Sequence, residues 1–322
     1  NALLTEAQLL QSEPTYPLDL VFCPECALLQ ITETVPLETL FRDYLYFSSF
    51  SDTMLKSAQE LVGRLIQSRQ LNAESLVVEI ASNDGYLLQY YKQSGVPSLG
   101  VEPAANIAQV AEERGIHTLC EFFDEALAQQ IKDRTGQADV IHANNVLAHV
   151  ADLNGVVAGL SVLLKPTGVA VIEVPYVKEL IDRVEFDTIY HEHLCYFSLS
   201  ALDHLFQRHG LLIREVEQLP IHGGSLRLFA TPFQGTSEQV LQGESVKQLL
   251  ALEAALGMKT AAFYHDFGAR VEALRVHLTT LLKDLKSQGK QIAVYGASAK
   301  GSNLLNYCGI GKELLDFVDN RS

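Results

Sequence analysis

The sequence predicts an α/β fold whose mainly parallel β-sheet is flanked by helices and closed by an antiparallel hairpin. Between residues 75 and 174, short apolar runs alternate with segments of helical periodicity, which is typical of repeated βαβ units. Two extended runs follow at 211–218 and 225–230, and the Pro220 and Gly223-Gly224 between them are typical of a hairpin. A strand–turn–helix pattern that begins at residue 291 predicts a second, incomplete α/β unit of nucleotide-binding type.

Each predicted element is a run of strand or helix periodicity that is bounded by turn residues. The predicted parallel strands are residues 75–80, 98–101, 138–142 and 169–174. Predicted helices lie near residues 52–70, 85–94, 104–114, 124–134 and 154–164, and the pattern is almost wholly helical over 236–288. The last unit is predicted as a strand at 291–295, a turn at 296–301, a helix start at 302–308 and a strand at 315–319. These patterns divide the chain into residues 1–51, 52–235 and 236–322.

The chain carries 24 basic and 39 acidic residues, which gives a formal net charge of −15 at pH 7. A surface this acidic repels a phosphate backbone, so we expect no nucleic-acid partner. No run of eighteen uninterrupted apolar residues occurs, so we expect no membrane-spanning helix. Of the five cysteines only Cys23 and Cys26 lie close together, and this odd, scattered set favours a reducing, cytoplasmic setting over a disulfide framework.

The segment from Val77 to Gly85 predicts a strand that enters a tight turn and then a helix. At such a turn the backbone approaches a ligand, and the following helix offers unpaired N–H groups. Methyltransferases normally carry an acidic residue and three alternating glycines here. This chain keeps Glu79 and Gly85 but has Ala81 and Asn83 at the other two glycine positions, so the turn alone is weak evidence.

Two further strand tips strengthen the prediction of a cofactor site. Glu102 follows the second strand, where a carboxylate can bind two ribose hydroxyls, although NAD sites share this feature and ordinary solvent-exposed carboxylates are an alternative. Asn144 ends another strand, where amides can meet the methionine end of S-adenosylmethionine. The antiparallel hairpin favours that cofactor over NAD. The predicted cofactor contacts are Glu79, Ser82, Asn83, Asp84, Gly85, Glu102, Pro103, Asn144 and Asn145.

The run Tyr190-His191-Glu192-His193 follows the last parallel strand in a segment without helical or strand periodicity. Four ionisable groups in a row are costly to bury without a function, and irregular segments beside a sheet often carry function. A histidine here can accept a proton near neutral pH, and the adjacent carboxylate can orient it. A metal-binding His-x-His pair and plain surface histidines are the alternatives. His149, just beyond a strand tip, is predicted to share this rim.

The turn from Gly296 to Gly301 matches neither of two common phosphate motifs. Ser302 stands where a P-loop has lysine, and Ser298 replaces the middle glycine of a dinucleotide fingerprint. The turn is still suited to cradle a diphosphate, with Ser298 and Lys300 as ligands, whereas a plain tight turn in a small α/β domain is the alternative.

Together these residues resemble the C-methyltransferases that methylate nucleotide-linked 4-keto deoxysugars. The resemblance runs the whole length of the chain in the right order, and YHEH with HGGSLR is its specific part. The matching segments are CPEC at 23–26, YLYFSS at 44–49, EIASNDGYLL at 79–88, VEPAANIA at 101–108, YHEHLCYFS at 190–198, HGGSLR at 222–227 and YGASAKGS at 295–302.

The resemblance implies a zinc module with a substrate-lid segment over 1–51, a methyltransferase domain over 52–235 and a nucleotide-binding-type domain after a helical segment over 236–322. It implies that His193 is the general base, assisted by Tyr190 and Glu192, with His149 and Tyr44 near the sugar. The other implied substrate contacts are Tyr46, Ser48, His222, Arg227, Ser298 and Lys300.

The resemblance also implies a structural zinc ion held by four cysteines. Cys23 and Cys26 would be two of them, and the second pair is expected upstream of Asn1. A pair of free thiols is the alternative, because half of a zinc site is weak evidence alone.

We therefore predict an S-adenosylmethionine-dependent C-methyltransferase that acts on a nucleotide-linked 4-keto sugar. A base would remove the proton beside the ketone, and the resulting enolate would attack the sulfonium methyl group in line. The alternatives are an NAD-type oxidoreductase, which the degenerate glycines and the hairpin disfavour, and a non-catalytic sugar-nucleotide-binding protein.

Overall fold

The chain is described by a computed structural model over residues 6–7, 10–12, 15–36, 40–41, 44, 46–221, 223–233, 242–296 and 298–319. In these ranges the strands are β1 (Leu20–Phe22), β2 (Leu29–Ile31), β3 (Val77–Ile80), β4 (Ser98–Val101), β5 (Thr118–Leu119), β6 (Ala138–Asn144), β7 (Leu164–Pro175), β8 (Cys195–Tyr196), β9 (Leu211–Leu219), β10 (Ser225–Pro232), β11 (Ala293–Tyr295) and β12 (Phe317–Asp319). The α-helices are α1 (Asp52–Arg69), α2 (Leu88–Gln93), α3 (Ala105–Glu113), α4 (Glu125–Thr135), α5 (Leu153–Leu163), α6 (Val177–Arg183), α7 (Leu199–Arg208), α8 (Glu244–Ala255), α9 (Phe267–Ser287) and α10 (Ala299–Cys308).

The central sheet has the spatial order β5-β4-β3-β6-β7-β10-β9. Strands β3 to β7 pair in parallel, whereas β10 lies antiparallel to both β7 and β9. The predicted parallel sheet with a closing antiparallel hairpin is therefore confirmed. Because parallel strands end at a common edge, the residues that follow β3, β4 and β6 meet there.

Helices cover both faces of this sheet, and successive side chains of each inner strand alternate between two core layers. In β6, fully buried Val140 belongs to the layer that contains Leu61 of α1, whereas Ile141 belongs to the layer that contains Leu160 of α5. Burial on both faces explains why these strands are mostly apolar in the sequence. No helix in the described ranges is long and apolar enough to cross a membrane.

A small sheet connects the N-terminal module to the middle of the chain. Strands β1 and β2 form a hairpin, and β2 also pairs antiparallel with β8, just after the 190–193 run. The Leu194 N–H donates to the Ala148 carbonyl at 2.7 Å, and the Ile31 N–H donates to the Leu194 carbonyl at 3.0 Å. The residues after the run are therefore fixed between the module and the main sheet.

Some predicted boundaries are wrong, and local hydrogen bonds explain why. The helix predicted from residue 85 begins at Leu88, because the residues before it complete the turn after β3. The turn predicted at 296–301 ends at Ser298, whose side chain accepts from the Gly301 N–H at 3.2 Å and caps α10. Strands β1, β2, β5 and β8 were not predicted, because two or three residues show no periodicity.

A buried histidine in β6 is expected to make stability sensitive to acid. His142 of β6 is fully buried, and its Nε2 lies 2.9 Å from the Tyr91 hydroxyl. Desolvation, with a smaller contribution from the charge of Arg227, lowers its pKa to about 3. The unfolded chain binds a proton at this histidine near pH 6.5, whereas the folded protein binds it only near pH 3. The contribution of neutral His142 to the free energy of unfolding is therefore fully present above about pH 6.5 and is lost as the pH falls toward about 3.

We expect that replacing His142 removes part of this acid sensitivity. Between pH 7 and pH 5, His142→Gln should lose about 2 kcal/mol less free energy of unfolding than the native protein, as measured by urea denaturation. His277→Gln, at an exposed position of α9, is the matched control and should keep the native pH dependence. Equal slopes for the native protein and His142→Gln would show that His142 is protonated in the folded state as readily as in the unfolded chain.

Candidate functional site

The turn after β3 keeps the backbone of a glycine-rich loop although it contains a single glycine. Ala81, Asn83 and Gly85 have φ angles of 50°, 50° and 78°. Left-handed backbone costs an L-residue about 1–2 kcal/mol, so Ala81 and Asn83 hold this conformation under strain. The two positions where the sequence lacks the usual glycines therefore still have the glycine conformation.

Oxygen atoms without hydrogen-bond partners gather around this turn. Among the buried side chains of the described residues, Glu79 Oε2, Ser82 Oγ, Asp84 Oδ1 and Asn144 Oδ1 have none. Such atoms are costly to bury, and these four lie at the carboxyl ends of β3 and β6. S-adenosylmethionine offers ammonium, hydroxyl and amine donors, so the residues present fit this cofactor. The other predicted contacts, Gly85, Glu102, Pro103 and Asn145, lie at the same edge.

The charges at this edge also fit a cationic ligand. Burial raises the pKa of Glu79 well above its usual range, and the negative charges of Glu102, Asp84 and Glu173 add to the rise. Burial also raises the pKa of Glu102, although the N–H groups of Ala104 and Asn83 each donate to its carboxylate at 2.9 Å. A bound cation would stabilise the ionised form of these carboxylates.

An aromatic strap, which we define as Tyr44 and residues 46–51, crosses the cofactor turn. Asn83 Oδ1 accepts from the Ser48 N–H at 2.8 Å, and Asn83 Nδ2 donates to the Tyr46 carbonyl at 3.0 Å. Asn106 of α3 accepts from the Tyr44 N–H at 3.2 Å and donates to the Tyr44 carbonyl at 2.7 Å. Both polar ends of the Asn83 side chain therefore hold the strap, and the cofactor contact of this residue stays a prediction.

A buried carboxylate fixes the strap at a third point. Asp84 Oδ2 accepts from the Ser49 hydroxyl and from Arg114 Nη1, the latter at 2.8 Å. The Asp84 side chain is fully buried, whereas 44% of the Arg114 side chain is exposed. Opening the strap would leave part of a buried negative charge without a donor, which favours the closed arrangement.

Two histidines face each other beside the strap. The rings of His149 and His193 are 4.8 Å apart between centroids. His149 Nδ1 lies 2.7 Å from the Glu192 carbonyl oxygen, and His193 Nδ1 lies 2.8 Å from the Thr188 carbonyl oxygen. Because a carbonyl only accepts, each neutral ring carries its proton on Nδ1 and its lone pair on Nε2. His193 Nε2 lies 3.4 Å from the Tyr190 hydroxyl.

The surroundings keep His149 neutral and the nearby tyrosines protonated. Burial lowers the pKa of His149, against the raising effect of the Glu192 carbonyl and carboxylate. Burial raises the pKa of Tyr44 and of Tyr190, and the charge of Glu192 adds to both shifts. The charge of Glu102 also contributes to the shift of Tyr44, so this tyrosine lies within electrostatic reach of the cofactor edge. Near neutral pH both phenols are therefore hydrogen-bond donors.

His191 does not converge with His193 on a common point. Its Nε2 lies 2.9 Å from the Pro17 carbonyl oxygen, and its ring contacts Tyr16 at 5.8 Å between centroids. In the described ranges no group of three or more histidine, cysteine or acidic side chains could hold a metal ion. The two histidines have different partners, so this geometry disfavours a metal-binding His-x-His pair.

Arg227 lies in a buried ion-pair network rather than in the histidine cluster. Its Nε donates to Glu173 at 2.7 Å, its Nη1 to Glu217 at 3.2 Å and its Nη2 to Ser57 at 3.2 Å. It lines a small pocket together with Asn144. Two carboxylates already neutralise the guanidinium, so these contacts give Arg227 a structural role, and its predicted substrate contact stays a prediction.

The remaining predicted substrate residues are spread along the chain. Ser48 is buried in the strap, and Tyr46 beside it is 47% exposed. Ser298 caps α10, and Lys300 lies in the first turn of that helix. His222 lies outside the described residues.

The cysteine pair lies in the turn of the β1–β2 hairpin. The Cys23 N–H donates to the Leu28 carbonyl at 2.9 Å, which closes the turn. Hydrogen bonds from the backbone of Cys26 and Glu25 lower the pKa of the Cys23 thiol, whereas burial raises that of Cys26. Backbone donors aimed at a sulfur favour the thiolate, which is the form that binds zinc. The pair therefore fits one half of a zinc site.

Three contributors to the site have no clear signal in the sequence. Phe41 places its ring 5.7 Å from that of His149 and 5.8 Å from that of Tyr44. Thr188 acts through its backbone carbonyl, which side-chain patterns do not reveal. Asn106 lies within the VEPAANIA segment, but nothing in that segment indicates that its side chain holds Tyr44.

We expect that Asn106→Ala loosens the strap without unfolding the protein. The Tyr44 N–H would lose its acceptor, which contributes about 1–1.5 kcal/mol, so its hydrogen exchange should become roughly tenfold faster. Exchange at Tyr44 can be followed by mass spectrometry of a peptide that begins at least about two residues before it and ends near residue 51. Gln109→Ala, at an exposed position of the same helix, is the control and should leave exchange unchanged. Native-like exchange in Asn106→Ala would mean that Asn106 does not hold the strap.

The chain matches known methyltransferases over most of its length. Residues 54–216 match a family model described as a methyltransferase domain, residues 220–322 match the C-methyltransferase C-terminal domain, and residues 1–41 match a domain family named for zinc binding. The chain is 36% identical over 308 residues to the C-methyltransferase NovU of Streptomyces niveus, and the match covers 96% of this chain and 73% of NovU.

Two solved structures have a similar fold and a low sequence identity to this chain. Magnesium protoporphyrin IX methyltransferase from Synechocystis PCC 6803, with bound S-adenosylhomocysteine, is 15% identical with a TM-score of 0.44, over 55% of this chain and 83% of that chain. A protein from Pyrococcus horikoshii OT3 is 14% identical with a TM-score of 0.47, over 58% of this chain and 94% of that chain. On the strength of the methyltransferase domain match and of the identity to NovU, the chain belongs to the family of S-adenosylmethionine-dependent C-methyltransferases.

Proposed function

We propose that this C-methyltransferase acts on a nucleotide-linked 4-keto sugar and that His193 removes the proton beside the ketone. The observation that carries the proposal is the histidine pair, in which each Nδ1 meets a backbone carbonyl and each Nε2 keeps its lone pair. His149 follows β6, whose last residue, Asn144, belongs to the cofactor edge, and the ring of His193 packs against that of His149. A base beside a methyl donor is the arrangement that methylation of carbon requires.

The chemistry of C-methylation supports a ketone as the substrate group. A carbon atom becomes a nucleophile only when it gives up a proton, and a neighbouring carbonyl makes that proton acidic because the charge spreads onto oxygen. Protonated phenols can donate to the developing oxyanion, and burial keeps both Tyr44 and Tyr190 protonated. A histidine base and two phenol donors together match the needs of an enolate.

The carboxylates and amides at the sheet edge would hold the cofactor. Glu102 would accept from the ribose hydroxyls, while Glu79, Asp84 and Asn144 would face its donor groups and its positive charge. When bound, S-adenosylmethionine supplies an electrophilic methyl group for the carbanion. The strap, held by Asn83 and Asn106, would exclude water from this edge.

The first turn of α10 is where we propose that the diphosphate of the substrate binds. Ser298 caps this helix, and Lys300 is a cation near its N-terminus, where unpaired N–H groups favour anions. A net charge of −15 makes such local recognition necessary. The resemblance of the whole chain to sugar C-methyltransferases supports the sugar part of the proposal.

We also propose that Cys23 and Cys26 supply two ligands of a structural zinc ion. The match of residues 1–41 to a zinc-binding family supports this proposal, as does the hairpin turn that holds the two thiols. Closing a tetrahedral site requires two further ligands. Zinc would then stabilise the hairpin that pairs with β8, immediately after the 190–193 run.

We expect that Glu102→Gln weakens binding of S-adenosylhomocysteine. Loss of charge-assisted hydrogen bonds to the ribose should cost about 1.5–3 kcal/mol, or roughly 10- to 150-fold in Kd, measured by calorimetry. Glu113→Gln, an exposed position at the end of α3, should bind like the native protein, and NAD should not bind comparably. Native-like affinity of Glu102→Gln would contradict the ribose assignment, and equal affinity for NAD would contradict the choice of cofactor.

We expect that His193→Ala abolishes proton abstraction. Deprotonation can be observed alone, as exchange of the substrate proton for deuterium in heavy water. The rates of exchange and of methylation should both fall by roughly 10²–10⁴-fold, which is the range typical of general-base catalysis. The affinity for S-adenosylhomocysteine should stay unchanged, because a general base contributes to the rate and little to binding. His191→Ala is the matched control and should be affected less, since His191 contacts Pro17 instead. Exchange at the native rate in His193→Ala would move the base to Tyr190 or His149.

A further inference from the structure

The side-chain amide of one residue in the C-terminal unit reaches the segment that supports His193. Asn303 of α10 donates through Nδ2 to the Asp187 carbonyl at 3.1 Å and to the Ile189 carbonyl at 2.7 Å. The carbonyl between these two belongs to Thr188 and accepts from His193 Nδ1 at 2.8 Å. Three consecutive backbone carbonyls therefore have side-chain partners: those of residues 187 and 189 accept from Asn303, and that of residue 188 faces His193.

A second contact from the same helix supports this arrangement. Tyr307 packs its ring against that of Phe186, with centroids 4.8 Å apart. Asn303 and Tyr307 are four residues apart, so they lie on the same face of α10. Phe186 begins the short 3-10 helix Phe186–Thr188, and its side chain is buried. Helix α10 thus contacts both ends of the 186–189 segment.

We propose that Asn303 is a positioning residue that sets the tautomer and orientation of His193, an inference that rests on the proposed role of His193 as the base. Asn303 uses both amide protons to fix the peptide groups on either side of Thr188. The Thr188 carbonyl is then held where it accepts only from Nδ1, which leaves the lone pair on Nε2.

Loss of the Asn303 donors would change the state of the histidine by a simple route. The Asp187 and Ile189 carbonyls would turn toward water, and the Thr188 peptide between them would lose its fixed orientation. A neutral imidazole without a fixed acceptor is free to place its proton on Nε2, and that tautomer has no lone pair at the reacting position. The helix that carries Ser298 and Lys300 near its start would therefore also control the base through its second turn.

The test is the tautomer of His193, measured by ¹⁵N NMR of the imidazole groups in the full chain without ligand. His193→Gln identifies the His193 signals by their loss. Asn303→Asp keeps the size of the side chain but has no N–H donors, and Asn303→Ala removes the group altogether. Asn306→Ala, at an exposed position of the same helix, is the matched control.

We expect a protonated Nδ1 in the native protein and in Asn306→Ala, and a mixed or Nε2-protonated ring in both Asn303 variants. Proton exchange from the substrate should fall at least tenfold in kcat in the Asn303 variants, with KM and the affinity for S-adenosylhomocysteine nearly unchanged. An unchanged tautomer in Asn303→Asp overturns the proposal, and so does an equal change in Asn306→Ala. If the tautomer shifts as expected while His193→Ala still exchanges the proton, the positioning role stands and the assignment of the base fails.

Discussion

The hydrogen bond from His193 Nδ1 to the Thr188 carbonyl is the interaction on which the proposed chemistry depends. It assigns the proton of the neutral ring to Nδ1 and leaves Nε2 as the basic atom, 3.4 Å from the Tyr190 hydroxyl. Its geometry is determined from two directions. Strands β2 and β8 fix the chain just after the run, and α10 fixes the segment just before it. The segment that carries His193 is thus held on both sides by other parts of the fold.

The second constraint is the concentration of buried carboxyl groups at the sheet edge. Glu79, Asp84 and Glu102 lie together, and burial raises the pKa of Glu79 and of Glu102. Such an edge is stable only if donors reach it, and the strap supplies one of them through Ser49. The same strap carries Tyr44 toward Glu192, so the cofactor edge and the histidine cluster share one covering segment.

The sequence predicts the parallel sheet well, but the predictions omit the short strands and two helices, α6 and α7. The parallel strands and the 211–230 hairpin were predictable because both faces of the inner strands are apolar, whereas β8 has two residues and exists through its pairing with β2. At the site, residue types identified the acidic strand tips and the YHEH run. They did not reveal that Asn83 binds the strap, that Arg227 is paired with Glu173, that the Thr188 carbonyl faces His193 Nδ1, or that Asn303 donates to the Asp187 and Ile189 carbonyls. Those roles depend on which groups the fold brings together, and a linear pattern does not contain that information.

The most direct test of the central claim is the site to which the methyl group is transferred. A panel of nucleotide-linked 4-keto sugars can be incubated with S-adenosylmethionine that carries an isotopically labelled methyl group, and the products examined by mass spectrometry and NMR. The account predicts a product with one labelled methyl group bonded to the carbon next to the ketone, and loss of that carbon's proton to solvent. Label found only on an oxygen or nitrogen atom, with the carbon beside the ketone unchanged, would contradict it.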